Sequence, residues 1–198
     1  MRFTRMHMRT RTANAAAAAL VAVPLALVGA ASQGHAQDAS PGPSATGTFG
    51  SGCAALAQKV GTAKDRVVEA AAAYPQLSHL VSAAVRAHLN GTLDGKSGIT
   101  VFAPDDQAFQ AATVAQFAAI LADQGQLKKL LTYHVVDRQI TPDELSHGSF
   151  KTVEGSKLTT SGSGTDFKVN GTANIVCGNI KAANATIYVI DQVLQPPS

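Results

Sequence analysis

Ile99-Thr100-Val101-Phe102-Ala103-Pro104-Asp105-Asp106-Gln107-Ala108-Phe109 is the stretch on which the fold of this chain turns. Its β-branched and aromatic opening reads as a short strand, and Ala103-Pro104 ends it. Asp105-Asp106 then offer side-chain oxygens to the orphan N–H groups of a helix start. Two further blocks follow at long spacing. Leu130-Leu131-Thr132-Tyr133-His134-Val135-Val136 reads as a short amphipathic helix entering a strand over Tyr133–Val136. Thr186-Ile187-Tyr188-Val189-Ile190 is apolar on both faces, which predicts a central strand, and Asp191-Gln192-Val193-Leu194 leaves it.

Upstream of the first block the pattern is helical. Asp65-Arg66-Val67-Val68-Glu69 opens an alanine run that stops at Tyr74-Pro75. Leu77, Leu80, Val81, Ala84, Val85 and His88 then fall on one helical stripe, with Asn90-Gly91 as its C-terminal stop. Thr113 starts a capping-box pattern for a helix with Phe117, Ile120 and Leu121 inward. Thr141-Pro142-Asp143-Glu144 is a stronger start, with Thr as N-cap, Pro at the first position and Glu at the third; Gly148 keeps that helix brief. From Ser149 the period becomes two. Short strands are expected at 150–153, 157–160, 167–169 and 174–176, with turns at Gly155-Ser156, Ser161–Gly164, Asn170-Gly171 and Gly178-Asn179. Helices first and strands later give an α+β domain.

The first 36 residues read as a secretory signal peptide. Arg2, Arg5, Arg9 and Arg11 precede an apolar Ala15–Ala31 run, and small residues lead to Gly34-His35-Ala36. The run is short and alanine-rich for a membrane anchor, so no stable span is expected after cleavage. Those four arginines belong to a total of 16 Lys and Arg against 13 Asp and Glu, so the remainder carries 12 against 13, a formal charge of −1. That balance excludes a basic patch of the kind that recommends nucleic acid or anionic lipid. Residues 37–60 read as a flexible Pro/Gly/Ser-rich spacer and N-terminal extension carrying Cys53, and residues 61–198 as one domain.

Cys53 and Cys177 are the only cysteines, and in an exported chain two cysteines form a disulfide. Lipidation of Cys53 is the rival, although no Leu-x-x-Cys box precedes it; no pair of Cys or His sits at metal-ligand spacing. The chain lacks a phosphate loop, His-Glu-x-x-His and Gly-x-Ser-x-Gly, which argues against an enzyme and for no catalytic residue, metal or cofactor. Asp105 and Asp106 read as helix caps. His79 and His88 read as packed or partly exposed, and His147 as a loop residue. Asn90, Asn170 and Asn184 match the glycosylation sequon by letters and read as turn and strand residues.

In order and spacing, the blocks at 99–109, 130–136 and 188–196 resemble the fasciclin (FAS1) domain family. The likeness spans about 61–196 and is nearest to single-domain secreted bacterial members of the mycobacterial secreted-antigen type, some of which carry cysteines at positions like Cys53 and Cys177. The resemblance implies a single FAS1 domain, a twisted seven-strand β wedge with several short helices packed alongside. It implies a secreted, non-enzymatic module for cell adhesion or extracellular matrix and cell-surface binding. The partner class it implies is a cell-surface or matrix protein, or a wall polysaccharide. Tyr133 and His134 match the family's Tyr-His pair and are its candidate contact residues. An acidic contact motif of animal matrix members has no counterpart here, where the chain reads Ala173-Asn174-Ile175-Val176. The alternative function is an extracellular lipid or small-ligand carrier, which requires an apolar cavity.

Overall fold

Two strands that are distant in sequence, 99–104 and 185–190, form the spine of the structure. The structure is a computed structural model and describes residues 47–56, 63–111 and 114–197. The expected signal peptide, the start of the spacer, Thr113 and the side chain of Phe117 lie outside what is described. All described residues belong to one compact unit, 39–198.

In chain order the helices are α1 (Cys53–Leu56), α2 (Val67–Ala72), α3 (Ser78–Arg86), α4 (Asn90–Gly95), α5 (Asp106–Ala111), α6 (Val114–Ala122) and α7 (Gln124–Tyr133). Short 3₁₀ turns cover Pro75–Leu77 and Pro142–Ser146. The strands are β1 (Ile99–Pro104), β2 (Val135–Val136), β3 (His147–Lys151), β4 (Lys157–Ser163), β5 (Asp166–Val169), β6 (Ala173–Lys181) and β7 (Ala185–Ile190). They form a seven-stranded sheet in the order β2-β1-β7-β6-β5-β4-β3. Only β1 and β7 run parallel. A bridge between Val136 and Thr152 brings the two edges together, so the sheet is nearly closed.

The β1–β7 register is unbroken from Ile99 opposite Ala185 to Pro104 opposite Ile190. Alternation along both strands divides the core in two. Ile99, Val101 and Ala103 of β1 join Ala185, Ile187 and Val189 of β7 in the cluster that also takes the buried faces of the helices. Phe102, Tyr188 and Ile190 point the other way, into a second cluster closed by β3, β4 and β5. Phe102 and Tyr188 are register partners and stack, ring centroids 5.6 Å apart. β7 has both faces buried, as its continuous apolar run requires.

Asn184, buried one residue before β7, joins four elements. Its Oδ1 accepts from Val67 N at the start of α2 (2.8 Å), and its Nδ2 donates to Leu93 O (2.9 Å) and Lys96 O (2.8 Å) around the end of α4. Its backbone carbonyl accepts from Gly98 N and Ile99 N at the start of β1.

Several local expectations need correction. The stripe from Leu77 ends at Arg86, not at Asn90-Gly91. His88 takes the left-handed conformation (φ 54°), His88 N bonds to Val85 O, and Leu89 N bonds to Ala84 O. That is a Schellman ending, and the buried Leu89 beside it supplies the apolar contact. Asn90-Gly91 instead opens α4, while Val85, expected inside, is 50% exposed. Gly178-Asn179 does not turn the chain: it is an irregularity inside β6, with Asn179 at φ 61°. Tyr133 ends α7 and His134 caps it, so the strand begins only at Val135.

The spacer is also shorter in structure than its composition implies. Phe49 is 5% exposed, pairs with Gly178 through both backbone bonds, and sets its ring edge-on to Phe167. A Cβ on Gly178 would stand 2.3 Å from that ring, so only glycine admits it. Gly52 N donates to Val176 O, and Cys53 is bonded to Cys177 across a sequence separation of 124 residues. One buried aromatic ring and one disulfide thus order a polar segment.

Two outcomes are expected. Asn184→Ala leaves buried N–H and C=O groups without partners, so its unfolding free energy falls by roughly 3 kcal/mol or more in urea titration; a loss under about 1 kcal/mol would refute its joining role. The protein purified without reductant is expected to weigh two hydrogens less than its reduced form. Reduction lowers stability by roughly 2–5 kcal/mol and speeds amide exchange at Gly178.

Candidate functional site

Tyr133 and His134 lie side by side at the end of α7, with ring centroids 6.5 Å apart. Their placement follows from where that helix ends. Asp123 caps its start, accepting from Gly125 N and Gln126 N. Leu127, Leu130 and Leu131 bury one face, and the chain must then bend into β2. Both side chains are drawn inward by this bend: Tyr133 is 3% exposed and His134 2%.

Each polar tip finds a partner indoors. Tyr133 OH donates to Lys157 O (3.2 Å) and accepts from Asn170 Nδ2 (2.9 Å). Asn170 Oδ1 in turn accepts from Thr159 N. Asn170 and Gly171 both have positive φ, the hairpin turn expected from the Asn-Gly pair. His134 Nδ1 lies 2.8 Å from Leu130 O, and Nε2 accepts from Leu194 N at 3.0 Å. That network assigns the proton to Nδ1 and keeps the ring neutral. Burial pushes its pKa down from 6.5 to about 4, against the opposing pull of the Leu130 carbonyl. The pair therefore fastens the β4–β5–β6 hairpins and the C-terminal segment to α7. Side chains so enclosed offer a partner almost no surface, so in this conformation they shape the domain from beneath.

The two adjacent carboxylates serve different helices. Asp105 Oδ1 accepts from Ala108 N at the start of α5. Asp106 reaches across to α3 and accepts from Ser78 Oγ, His79 N and His79 Nδ1 at 2.6–2.9 Å. Partial burial pushes the Asp106 carboxyl up, but the bonds from Ser78 and His79 outweigh it and hold it below the usual carboxylate value. His88 is exposed, and His147 begins β3 rather than lying in a loop. Among the described residues no group of three or more His, Cys, Asp or Glu is placed to hold a metal ion. The residues that sequence reasoning passed over are Asn184, Asn170 as a side chain, and Phe49. Nothing local marks them: Asn184 reaches Val67 across 117 positions, Asn170 reaches Tyr133 across 37, and Phe49 packs on Phe167 across the sheet.

Grooves open on the surface of the described residues. One of about 380 Å³ lies where β5 and β6 part, walled by Ser51, Asp166, Lys168, Asn174 and Asp191. A second, about 280 Å³, borders Gln76, Asp105 and Asp106. The third, about 500 Å³, follows the seam between β2 and the end of β3, with Lys96, Asp137, Arg138 and Lys151 in its walls. Charged and amide side chains are prominent in each. Among the described residues no helix is long and apolar enough to cross a membrane.

The buried imidazole gives a signed prediction. The unfolded ring titrates near 6.5 and the folded one at about 4, so the unfolded chain binds the extra proton throughout that interval. His134 therefore contributes its stability in full above 6.5 and loses it as pH falls toward 4, roughly 3 kcal/mol in all. Urea titrations across the interval should show this slope, and His134→Gln should flatten it; an unchanged slope would refute the assignment.

Comparison with known proteins places this geometry. The family profile for the Fasciclin domain matches residues 75–196. The chain is 38% identical over 164 residues to the cell surface glycolipoprotein MPB83 of Mycobacterium bovis, covering 76% of this chain and 73% of that one. It is 36% identical over 172 residues to the immunogenic protein MPB70 of the same species, covering 80% and 88%. A solved FAS1 domain pair from the insect cell adhesion molecule Fasciclin I matches its fold with a TM-score of 0.50 at 16% identity, over 60% of this chain and 45% of that one. With the family profile matching over half of its length and relatives at 36–38% identity, this chain belongs to the fasciclin (FAS1) domain family, and its nearly closed seven-strand sheet agrees with that fold.

Proposed function

We propose that this chain is a secreted, non-enzymatic FAS1 module that mediates cell adhesion or binds a cell-surface or extracellular matrix protein, or a wall polysaccharide. The observation that carries this reading is the family match across 75–196, with relatives named for the cell surface and for adhesion. The site geometry supports it. The side chains with chemical potential, Tyr133, His134, Asp105 and Asp106, hold backbone groups and neighbouring helices. That leaves recognition to the exposed surface. In this reading residues 1–36 direct export, the segment ahead of Phe49 spaces the domain from the envelope, and the protein works outside the cell, released or loosely held at the surface.

The test is binding of the exported protein, purified from culture medium, to intact cells and to arrays of matrix proteins and wall polysaccharides. Heat-denatured protein is the control. Saturable binding lost on denaturation is expected; equal binding by native and denatured protein, or none, would overturn the reading. Tyr133→Phe combined with His134→Ala should lower melting and binding together. Binding lost at an unchanged melting temperature would instead make the pair contact residues.

A further inference from the structure

The overall charge balance conceals a segregation that the fold creates. Many carboxylates are engaged where they stand. Asp105, Asp106 and Asp123 accept from helix N-termini, Glu144 from Thr141 N and Arg138, and Glu154 from Ser156 N, while Asp137 holds Lys96. The lysines of the antiparallel half-sheet are not so engaged. Lys151 stands directly opposite Lys157, and Lys168 directly opposite Ser161. Opposed residues share a face, so these three lysines occupy one outer face, all exposed and without an ion-pair partner among the described residues. Between them lie Ser149, Thr159 and Ser161, also exposed, with Ser149 opposite Thr159. Two acids stand at its far end, Asp166 opposite Ser163 and Asp191 bonded to the Asn174 that faces Lys168, so the positive charge is concentrated at Lys151 and Lys157.

Like charges directly opposite one another destabilise a sheet. Lys151–Lys157 is such a pair, and Lys151 also walls the seam groove, where Lys96 and Arg138 are already paired with Asp137 and Glu144. The face is thus a cationic strip with hydroxyls between the charges. From Lys157 to Ser161 is four residues of strand, about 13 Å, so the cationic ends lie farther apart than one sugar ring reaches. Its aromatic residues turn inward: Phe150 and Phe167 are buried, leaving no ring on which a base would stack. No large apolar side chain stands on it to enter a bilayer.

We propose that the outer face of β3, β4 and β5 binds an acidic polysaccharide, its carboxylates against Lys151, Lys157 and Lys168 and its hydroxyls against Ser149, Thr159 and Ser161. This rests on the surface-binding reading and names its partner class. The exported protein is titrated with polygalacturonate, neutral dextran and an oligothymidylate at low and high salt, alongside binding to intact cells. Polygalacturonate should bind saturably, weaken with salt, and weaken about tenfold or more in Lys151→Gln/Lys157→Gln, for the charge removed. The same double variant should melt no lower than wild type, because it relieves the opposed charges. Dextran binding as tightly, or Gln substitutions without effect, would overturn the proposal. Equal or tighter oligothymidylate binding lost in the same variant would transfer the face to nucleic acid and overturn it too. Cell binding that survives the double substitution overturns this assignment while leaving adhesion standing; wild-type protein that binds polygalacturonate but no cells overturns adhesion alone.

Discussion

Asn184 stands at the point where a parallel strand pair must be held without a turn to hold it. β1 and β7 are adjacent in the sheet yet separated by most of the domain, and an antiparallel hairpin cannot fix their register. The Asn184 carbonyl takes the two N–H groups that lead into β1, while its side chain takes the first N–H of α2 and two carbonyls at the end of α4. The consequence runs through the whole core. A slip of β7 by one residue against β1 would send Tyr188 to the helix side, away from Phe102, and bring Ile187 and Val189 into the aromatic cluster. Thr100 repeats the device on the neighbouring side, donating to Arg138 O and accepting from Ile140 N, so the loop after β2 is pinned to the same strand.

What the sequence makes legible is what short-range chemistry controls. Thr141 and Glu144 form the capping box their spacing requires, and Asn170-Gly171 turns a hairpin with both residues left-handed. The apolar run of β7 is buried on both faces. Asn90-Gly91 carries an equally good stop signal, yet the helix ends earlier, at Arg86, with His88 as the left-handed residue beyond its cap. There the burial of Leu89 and the bonds to Ala84 and Val85 outweigh the cost of a left-handed non-glycine residue, about 1–2 kcal/mol. Gly178 looks like a turn residue because its reason for being glycine is a ring 129 positions away, and local reading cannot contain that.

The site divides in the same way. Tyr133-His134 stands out as a motif, but whether such a pair faces water or core depends on the residue at which α7 gives way to β2. Moving that boundary by one or two positions decides it, and helix ends are where sequence patterns say least. Charge is a stronger case. A sum over residues 37–198 is −1, and only strand register reveals that acids sit at helix starts while lysines share a sheet face.

The Lys151–Lys157 pair sits where the hairpin is least able to relax. Thr152 N and Thr152 Oγ1 both donate to Ser156 O, and Ser156 N donates to Glu154 Oε2, so the turn that joins the two lysines is clamped from within. Tyr133 OH, donating to the carbonyl of Lys157, holds the strand from the inside as well. The seam closes it further through the Val136–Thr152 bridge and the bond from Val153 N to Val135 O. Repulsion between two ammonium groups at the mouth of a loose hairpin would be relieved by fraying; here fraying would break each of these bonds. The buried Tyr-His motif and the exposed cationic pair are therefore mechanically linked. The tyrosine that offers a partner almost nothing itself helps fix the strand that presents the charge.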